Sequence, residues 1–157
     1  MRTGIGYDVH RLAPGHSVVL GGVEIPSARS LVGWSDADVL THSIIDALLG
    51  AAALGDIGSH FPPGDSQYKK IASLVLLEKV GAMLDEKGFK VANIDATIVA
   101  EQPKLRNYIY SMCQNLSQAL GIATDLVSVK ASTSEQLGFV GREEGMVAWS
   151  VATVVEK

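Results

Sequence analysis

Residues 91–100 read VANIDATIVA, and their alternation decides the class of fold. Apolar Ile94, Ala96 and Ile98 interleave with polar Asn93, Asp95 and Thr97, the two-residue period of a strand with one buried face. Downstream, Pro103 leads into a helix predicted from about Leu105 to Leu120 and closed by Gly121. LVSVKAS (126–132) follows as a strand, and MVAWSVATVVE (146–156) as the last one. Upstream, a helix from about Tyr68 to Lys87 stops at Gly88. Before it, a long helix runs from the capping residues Ser35-Asp36-Ala37-Asp38 to about Leu54, with Gly55 as its stop. Residues 3–10 read as the first strand, and VVLGGVEI (18–25) as a hairpin folded on Gly21-Gly22. The order β-β-β-α-α-β-α-β-β predicts an α+β sandwich: a mixed four-stranded sheet, helices on one face, and a small β-hairpin. Val147, Trp149 and Val151 make the last strand apolar on one face, Met146, Ala148 and Val154 on the other. Few helices remain to cover the second face, which points to a subunit interface.

At 157 residues the length suits one domain spanning 1–157. Hydrophobic residues at 47% against 19% charged exclude a disordered chain. Thirteen basic and 17 acidic residues give a net charge of −4, which argues against general nucleic-acid binding. A polyanionic ligand would need local positive charge, from a metal, a few Lys/Arg or backbone N–H groups. Cys113 is alone, so no intrachain disulfide is expected, as in a reducing cytoplasm. MRTGIGYD lacks the apolar run of a signal peptide, and no segment has the length of a membrane span.

In GYDVHRL (6–12), Asp8 and His10 stand two apart and so share one face of a strand. They are either a salt-linked surface pair or half of a metal site. His42 by itself reads as a core histidine hydrogen-bonded to Asp38 or Asp46, which lie four residues away on the same side of the helix. Taken with Asp8 and His10, it completes a His₂–carboxylate set with an open fourth position, the pattern of catalytic zinc. The helix carboxylates would then orient the imidazole from behind. The SHFPPGD loop (59–65), with exposed Phe61 beside an acid, has the character of a ligand loop. In KASTSEQLGFVGREEG (130–145), Ser132, Thr133, Ser134 and Glu135 follow a strand. They read as a capping box or as hydroxyls and N–H groups cradling a phosphate, and the two are compatible. Arg142 reads equally as an ordinary surface arginine. In AEQPKLR (100–106), Lys104 and Arg106 are explained by loop charge alone.

Together these segments resemble the 2-C-methyl-D-erythritol 2,4-cyclodiphosphate synthase family. The likeness runs from end to end: G-x-D-x-H-R-L at 6–12, S-D-x-D-V-x-x-H at 35–42, and D-A-L-L-G-A-A-x-L-G-D-I-G at 46–58. It continues with F-P at 61–62, P-K at 103–104, K-A-[ST]-T-[ST]-E-x-L-G-F at 130–139 and G-R-x-E-G at 141–145. The resemblance implies a cytoplasmic homotrimer with active sites between subunits, each holding one zinc ion on Asp8, His10 and His42. It implies that Glu135 binds a second divalent cation, magnesium or manganese. Asp56, Ile57 and Gly58 would meet the sugar parts of the substrate, and the loop Phe61, Pro62, Pro63, Gly64, Asp65 would close over the methylerythritol. Ala100, Pro103, Lys104, Leu105, Ala131, Ser132, Thr133 and Ser134 would form the pocket for cytidine and its diphosphate. Phe139 and Arg142 would line the central channel of the trimer.

The implied reaction is intramolecular: the 2-phosphate of 4-diphosphocytidyl-2-C-methyl-D-erythritol 2-phosphate attacks the β-phosphorus, expels CMP and leaves the cyclic diphosphate. The protein's part is then to fold the substrate and neutralise its charge, with Trp34 and Thr133 at the positions the resemblance marks as catalytic. The chain departs from the family pattern at Trp34, where many members carry His before the Ser35-Asp36 pair. An indole donates one hydrogen bond and cannot carry a charge, so the backbone around 34–35 is expected to make the phosphate contact. Ser132 and Ser134 replace threonines, and Trp149 makes the channel end more apolar. Two rivals stand beside the cyclase. A zinc hydrolase would put solvent oxygen into its product, but the sequence offers no general base beside the metal set. A trimeric binding module stapled by zinc would release no CMP, and would need a fourth protein ligand that the sequence does not offer.

Overall fold

Gly4 and Gly6 set how the two layers of this molecule meet. A Cβ on Gly6 would sit within the Ser43 carbonyl and one on Gly4 within that of Ala47, so helix and strand backbones touch there. The strand is β1 (Arg2–Pro14) and the helix α1 (Val39–Ala51), seen in a computed structural model that describes residues 1–157.

The remaining strands are β2 (Ser17–Leu20), β3 (Val23–Pro26), β4 (Arg29–Val32), β5 (Phe89–Val99), β6 (Val127–Ser132) and β7 (Gly145–Glu156). The remaining helices are α2 (Ile57–His60), α3 (Ser73–Glu86), α4 (Ile109–Leu120) and α5 (Gly138–Gly141). Five strands form one sheet in the order β4-β1-β7-β5-β6. β5 and β6 run parallel, joined by α4 as a crossover; the other pairs are antiparallel. β2 and β3 form the separate hairpin.

The mixed sheet, the helices on one face and the hairpin agree with the sequence reading. The sheet has one strand more than expected. β4 is a four-residue edge strand with no buried residue, so its alternation is too short and too weak to register. Helix α3 begins at Ser73 instead of Tyr68, because residues 66–68 form a separate 3₁₀ turn. Helix α4 likewise follows a 3₁₀ turn at 106–108. No helix is long and apolar enough to cross a membrane.

The core lies between α1, α3, α4 and the sheet, where Leu40, Ile44, Ile45, Leu48, Leu77, Ile94, Ile98 and Met112 are fully buried. The other sheet face is open. Ile5, Tyr7, Val9, Trp149 and Val151 are each more than 40% exposed there, with the Tyr7 and Trp149 rings 4.5 Å apart.

Candidate functional site

Asp8 and His10 continue the series Gly4, Gly6 along the helix-facing side of β1, and the glycines bring α1 close enough for His42 to reach them. Asp8 Oδ2 lies 2.9 Å from His10 Nε2 and 3.1 Å from His42 Nδ1, and the two nitrogens are 3.1 Å apart. A tetrahedral ion held by bonds of about 2.0–2.1 Å separates its ligands by about 3.4 Å, so this triangle is close to the size of a zinc site. The ring orientations fit as well. His10 Nδ1–H donates to the Val32 carbonyl at 2.9 Å, so Nε2 is the nitrogen that faces the cluster and can give up its proton to a metal. His42 Nε2 points away, to Ser73 Oγ at 2.8 Å and Ser35 Oγ at 3.1 Å. No fourth protein donor joins the three.

Charge follows the geometry. Burial pushes the Asp8 carboxyl up, but hydrogen bonds and charge from His10 and His42 outweigh it and hold the group down at about 2. Burial pushes His10 down, and the hydrogen bond and charge of Asp8 more than reverse this, leaving it above its ordinary value.

Asp38 and Asp46 do not orient His42, contrary to expectation. Asp38 is the N-cap of α1, so its backbone leaves the helix and its carboxylate folds back to accept from Thr41 N at 3.0 Å and Thr41 Oγ1 at 2.8 Å. The same carboxylate accepts from the N–H groups of Gly21 and Gly22, tying the hairpin turn to the helix start. Its full burial drives its pKa up. Asp46, one turn beyond His42, accepts from Ile57 N at 2.7 Å instead and so ties α1 to the start of α2. The groups behind His42 are Ser35, Ser73 and Asp36. In the sequence Asp36 has the character of a capping residue, and nothing there connects Ser73, 31 residues beyond His42, with the imidazole.

Ala100, Pro103, Lys104, Leu105, Ala131, Ser132 and Thr133 line one cleft of about 260 Å³ at the carboxyl ends of β5 and β6, and Ser134, expected with them, does not. Glu101, Arg106 and Ile109 line it too. The expected phosphate cradle is largely filled from within. Glu101 Oε1 accepts from Ser134 N at 2.9 Å and Gln136 N at 3.1 Å, and Thr133 Oγ1 accepts from Glu135 N at 3.3 Å. Glu135 and Gln136 are both left-handed, with φ of 51° and 63°. Their N–H groups converge on these side chains, so Glu101, which stands inside the quoted AEQPKLR, shapes the turn that presents Glu135 to solvent.

Asp56 accepts from Ser59 N and Oγ and so caps α2, which carries Ile57 and Gly58. Phe61, expected exposed, is half-buried with its ring edge-on to Tyr68 at 5.5 Å. Pro62, Pro63 and Gly64 are exposed, and Asp65 caps the turn at 66–68. Trp34 Nε1–H donates to the Asp65 carbonyl at 3.0 Å and Lys70 N to the Trp34 carbonyl at 2.9 Å, so this residue clasps the loop. Its single side-chain donor is thereby engaged. Phe139 lines a wholly apolar hollow with Tyr7, Val99, Val140, Val147 and Trp149 on the open sheet face. Arg142 is exposed and paired through two hydrogen bonds with Glu144.

The register places the three-donor cluster and the cleft at the same end of the sheet. Val9, Val147, Val99 and Ser132 form one row across β1, β7, β5 and β6. Three strand spacings, about 14 Å, therefore separate the three-donor cluster from the cleft within one chain.

Residues 1–155 match the YgbB family. A 2-C-methyl-D-erythritol 2,4-cyclodiphosphate synthase of Dehalococcoides mccartyi is 66% identical over 157 residues, all of both chains. The enzyme of the same name from Syntrophomonas wolfei is 56% identical over 154 residues, 98% of each. Among solved structures, the bifunctional IspDF of Campylobacter jejuni superposes with a TM-score of 0.95 at 40% identity, over 99% of this chain and 42% of that one. The CDP complex of IspF from Plasmodium falciparum superposes at 0.87 with 30% identity, over 99% and 96%.

Proposed function

The chain belongs to the YgbB family of 2-C-methyl-D-erythritol 2,4-cyclodiphosphate synthases, and from that membership and its own site we infer how it works. It converts 4-diphosphocytidyl-2-C-methyl-D-erythritol 2-phosphate into the 2,4-cyclodiphosphate with release of CMP, a step in isoprenoid precursor synthesis, as a phosphorus–oxygen lyase. The observation that carries this reading is full-length identity of 66% to a relative so named, in a chain whose three donor atoms converge as the chemistry requires.

Asp8, His10 and His42 would hold zinc, and Glu135 a second divalent ion, magnesium or manganese. A lone exposed carboxylate suits such an ion, which takes its other oxygens from phosphate and water. The bound metals would neutralise phosphate charge and polarise phosphorus–oxygen bonds. The chain supplies the rest. The cleft seats the cytidine and its diphosphate between Pro103, Lys104, Leu105 and Ala131, with the Ala100 backbone as a further contact. Lys104 offers positive charge, and the Thr133 hydroxyl offers a donor to diphosphate oxygens. Asp56, Ile57, Gly58 and the 61–65 loop contain the sugar, and the backbone at Trp34 and Ser35 contacts a phosphate. No protein nucleophile is needed, because the attacking phosphate is part of the substrate. Positioning the attacking phosphate against the β-phosphorus is the chain's own contribution.

The 14 Å gap and the apolar open face support a homotrimer in which one chain's three-donor cluster meets a neighbour's cleft, with Phe139 and Arg142 toward the central axis. The lone buried thiol, Cys113, suits the cytoplasm. A phosphorus NMR time course with the cytidyl substrate, with and without chelator, tests the reaction. The expected outcome is cyclic diphosphate and CMP together, abolished by chelation. CMP with an open-chain product means hydrolysis and overturns the reading.

A further inference from the structure

Ser73 is completely buried at the first turn of α3, yet its hydroxyl belongs to no helix cap. It stands 2.8 Å from His42 Nε2 and donates to Asp36 Oδ1; Asp36 Oδ2 accepts from Ser73 N at 2.8 Å. A hydroxyl has one proton. Here the carboxylate takes it, because a charge-assisted hydrogen bond is the stronger of the two on offer. The proton between Ser73 Oγ and His42 Nε2 must therefore belong to the imidazole. Ser35 Oγ, 3.1 Å from the same nitrogen, cannot reverse this by donating. A bare Nε2 would then face the Ser73 lone pairs at 2.8 Å.

We infer that Ser73 is a positioning residue, which locks His42 in its Nε2–H tautomer by handing that hydrogen bond on to Asp36. The consequence lies across the ring. With Nε2 holding its own proton, the neutral imidazole carries its lone pair on Nδ1, directed at Asp8 Oδ2 and His10 Nε2. In the other tautomer Nδ1–H would point into the cluster and block it. The two imidazoles are thus set by different means, His10 by a backbone carbonyl and His42 by a serine–aspartate relay. The relay also carries structure. Asp36 accepts from Asp38 N at 3.1 Å, so one carboxylate connects the entry to α1, the start of α3 and the imidazole.

The inference rests on the metal reading of the three-donor cluster, and the experiment separates the two. Full-length protein is stripped with chelator, and the His42 ring nitrogens are observed by ¹⁵N NMR. A protonated Nε2 is expected, whether Nδ1 is bare or shares a proton with Asp8; a bare Nε2 with Nδ1–H overturns the relay without any variant. The stripped protein and Ser73→Ala, which keeps the backbone N–H bond to Asp36, are then titrated with zinc against a competing chelator. Ser73→Ala is expected to bind zinc about 10- to 100-fold more weakly, with His42 divided between tautomers. Unchanged affinity overturns the role of Ser73 alone. Absence of zinc binding by the unaltered protein overturns the metal reading, and this inference with it.

Discussion

At Asp8 and His10, proton and metal compete for the same lone pairs. Asp8 holds His10 above its ordinary value, so in the metal-free protein this pair stabilises the fold fully below the unfolded-state pKa of His. That contribution is lost as pH rises through the raised value. Asp8, depressed to about 2, stabilises above its ordinary range and loses this only as pH falls toward 2. Metal uptake must expel the His10 proton. Zinc affinity, measured by chelator competition from pH 6 upward, should therefore rise about tenfold per pH unit and level off above the raised His10 value. A flat profile would mean that His10 is not a ligand. His42→Ala should remove the zinc seen by elemental analysis and lower turnover by about 10²- to 10³-fold, while the far-ultraviolet circular dichroism stays unchanged. Retained turnover without zinc would sink the mechanism.

The elements work by holding these residues at contact distance. Helix α1 can approach β1 because Gly4 and Gly6 lack a Cβ, and that approach brings His42 onto Asp8 and His10. Gly6→Ala forces Cβ into the Ser43 carbonyl and should cost at least about 1–3 kcal/mol, read as a lowered thermal midpoint. Zinc affinity should fall with it; a rigid-body shift that spared the metal cluster would leave affinity intact. At the other half of the site, Glu101 closes the 134–136 turn from across the cleft. Glu101→Ala strands two N–H groups, a cost of about 1–3 kcal/mol if they stay buried and less where water reaches them. Because that turn presents Glu135, the expected result is impaired activation by magnesium or manganese at unaltered zinc content. Equal magnesium dependence in variant and parent would show that the turn holds its shape without Glu101.

On the scale of the whole molecule, the proposed trimer would account for both the open sheet face and the distance between cluster and cleft. A single chain keeps the three-donor cluster and the cleft about 14 Å apart, and leaves Ile5, Tyr7, Val9, Trp149 and Val151 uncovered. Val151→Lys, directly opposite Ile5 in the β1–β7 register, should dissociate the assembly. Light scattering coupled to size exclusion would read a single-chain mass, with zinc retained and turnover lost. A Val151→Lys monomer with full activity would place the whole site within one chain.

The sequence by itself determined most of the elements and the residue types of the site. Periods of 2 and 3.6 are local, and VANIDATIVA shows its strand without reference to anything else. Asp8 and His10 were legible as a pair for the same reason, since a two-residue spacing on a strand is already a statement about space. Tertiary structure alone decided who stands behind His42. Spacing along α1 suggested Asp38 and Asp46, but one turned back to cap its own helix and the other reached forward to α2. The partner came from Ser73, at the start of another helix, because α1 and α3 pack side by side and a hydrogen bond depends on distance, not on position in the chain. Glu101 entered the 134–136 turn in the same way, across the parallel pairing of β5 and β6. Short β4 stayed hidden because four half-exposed residues at a sheet edge take their conformation from the neighbour they pair with.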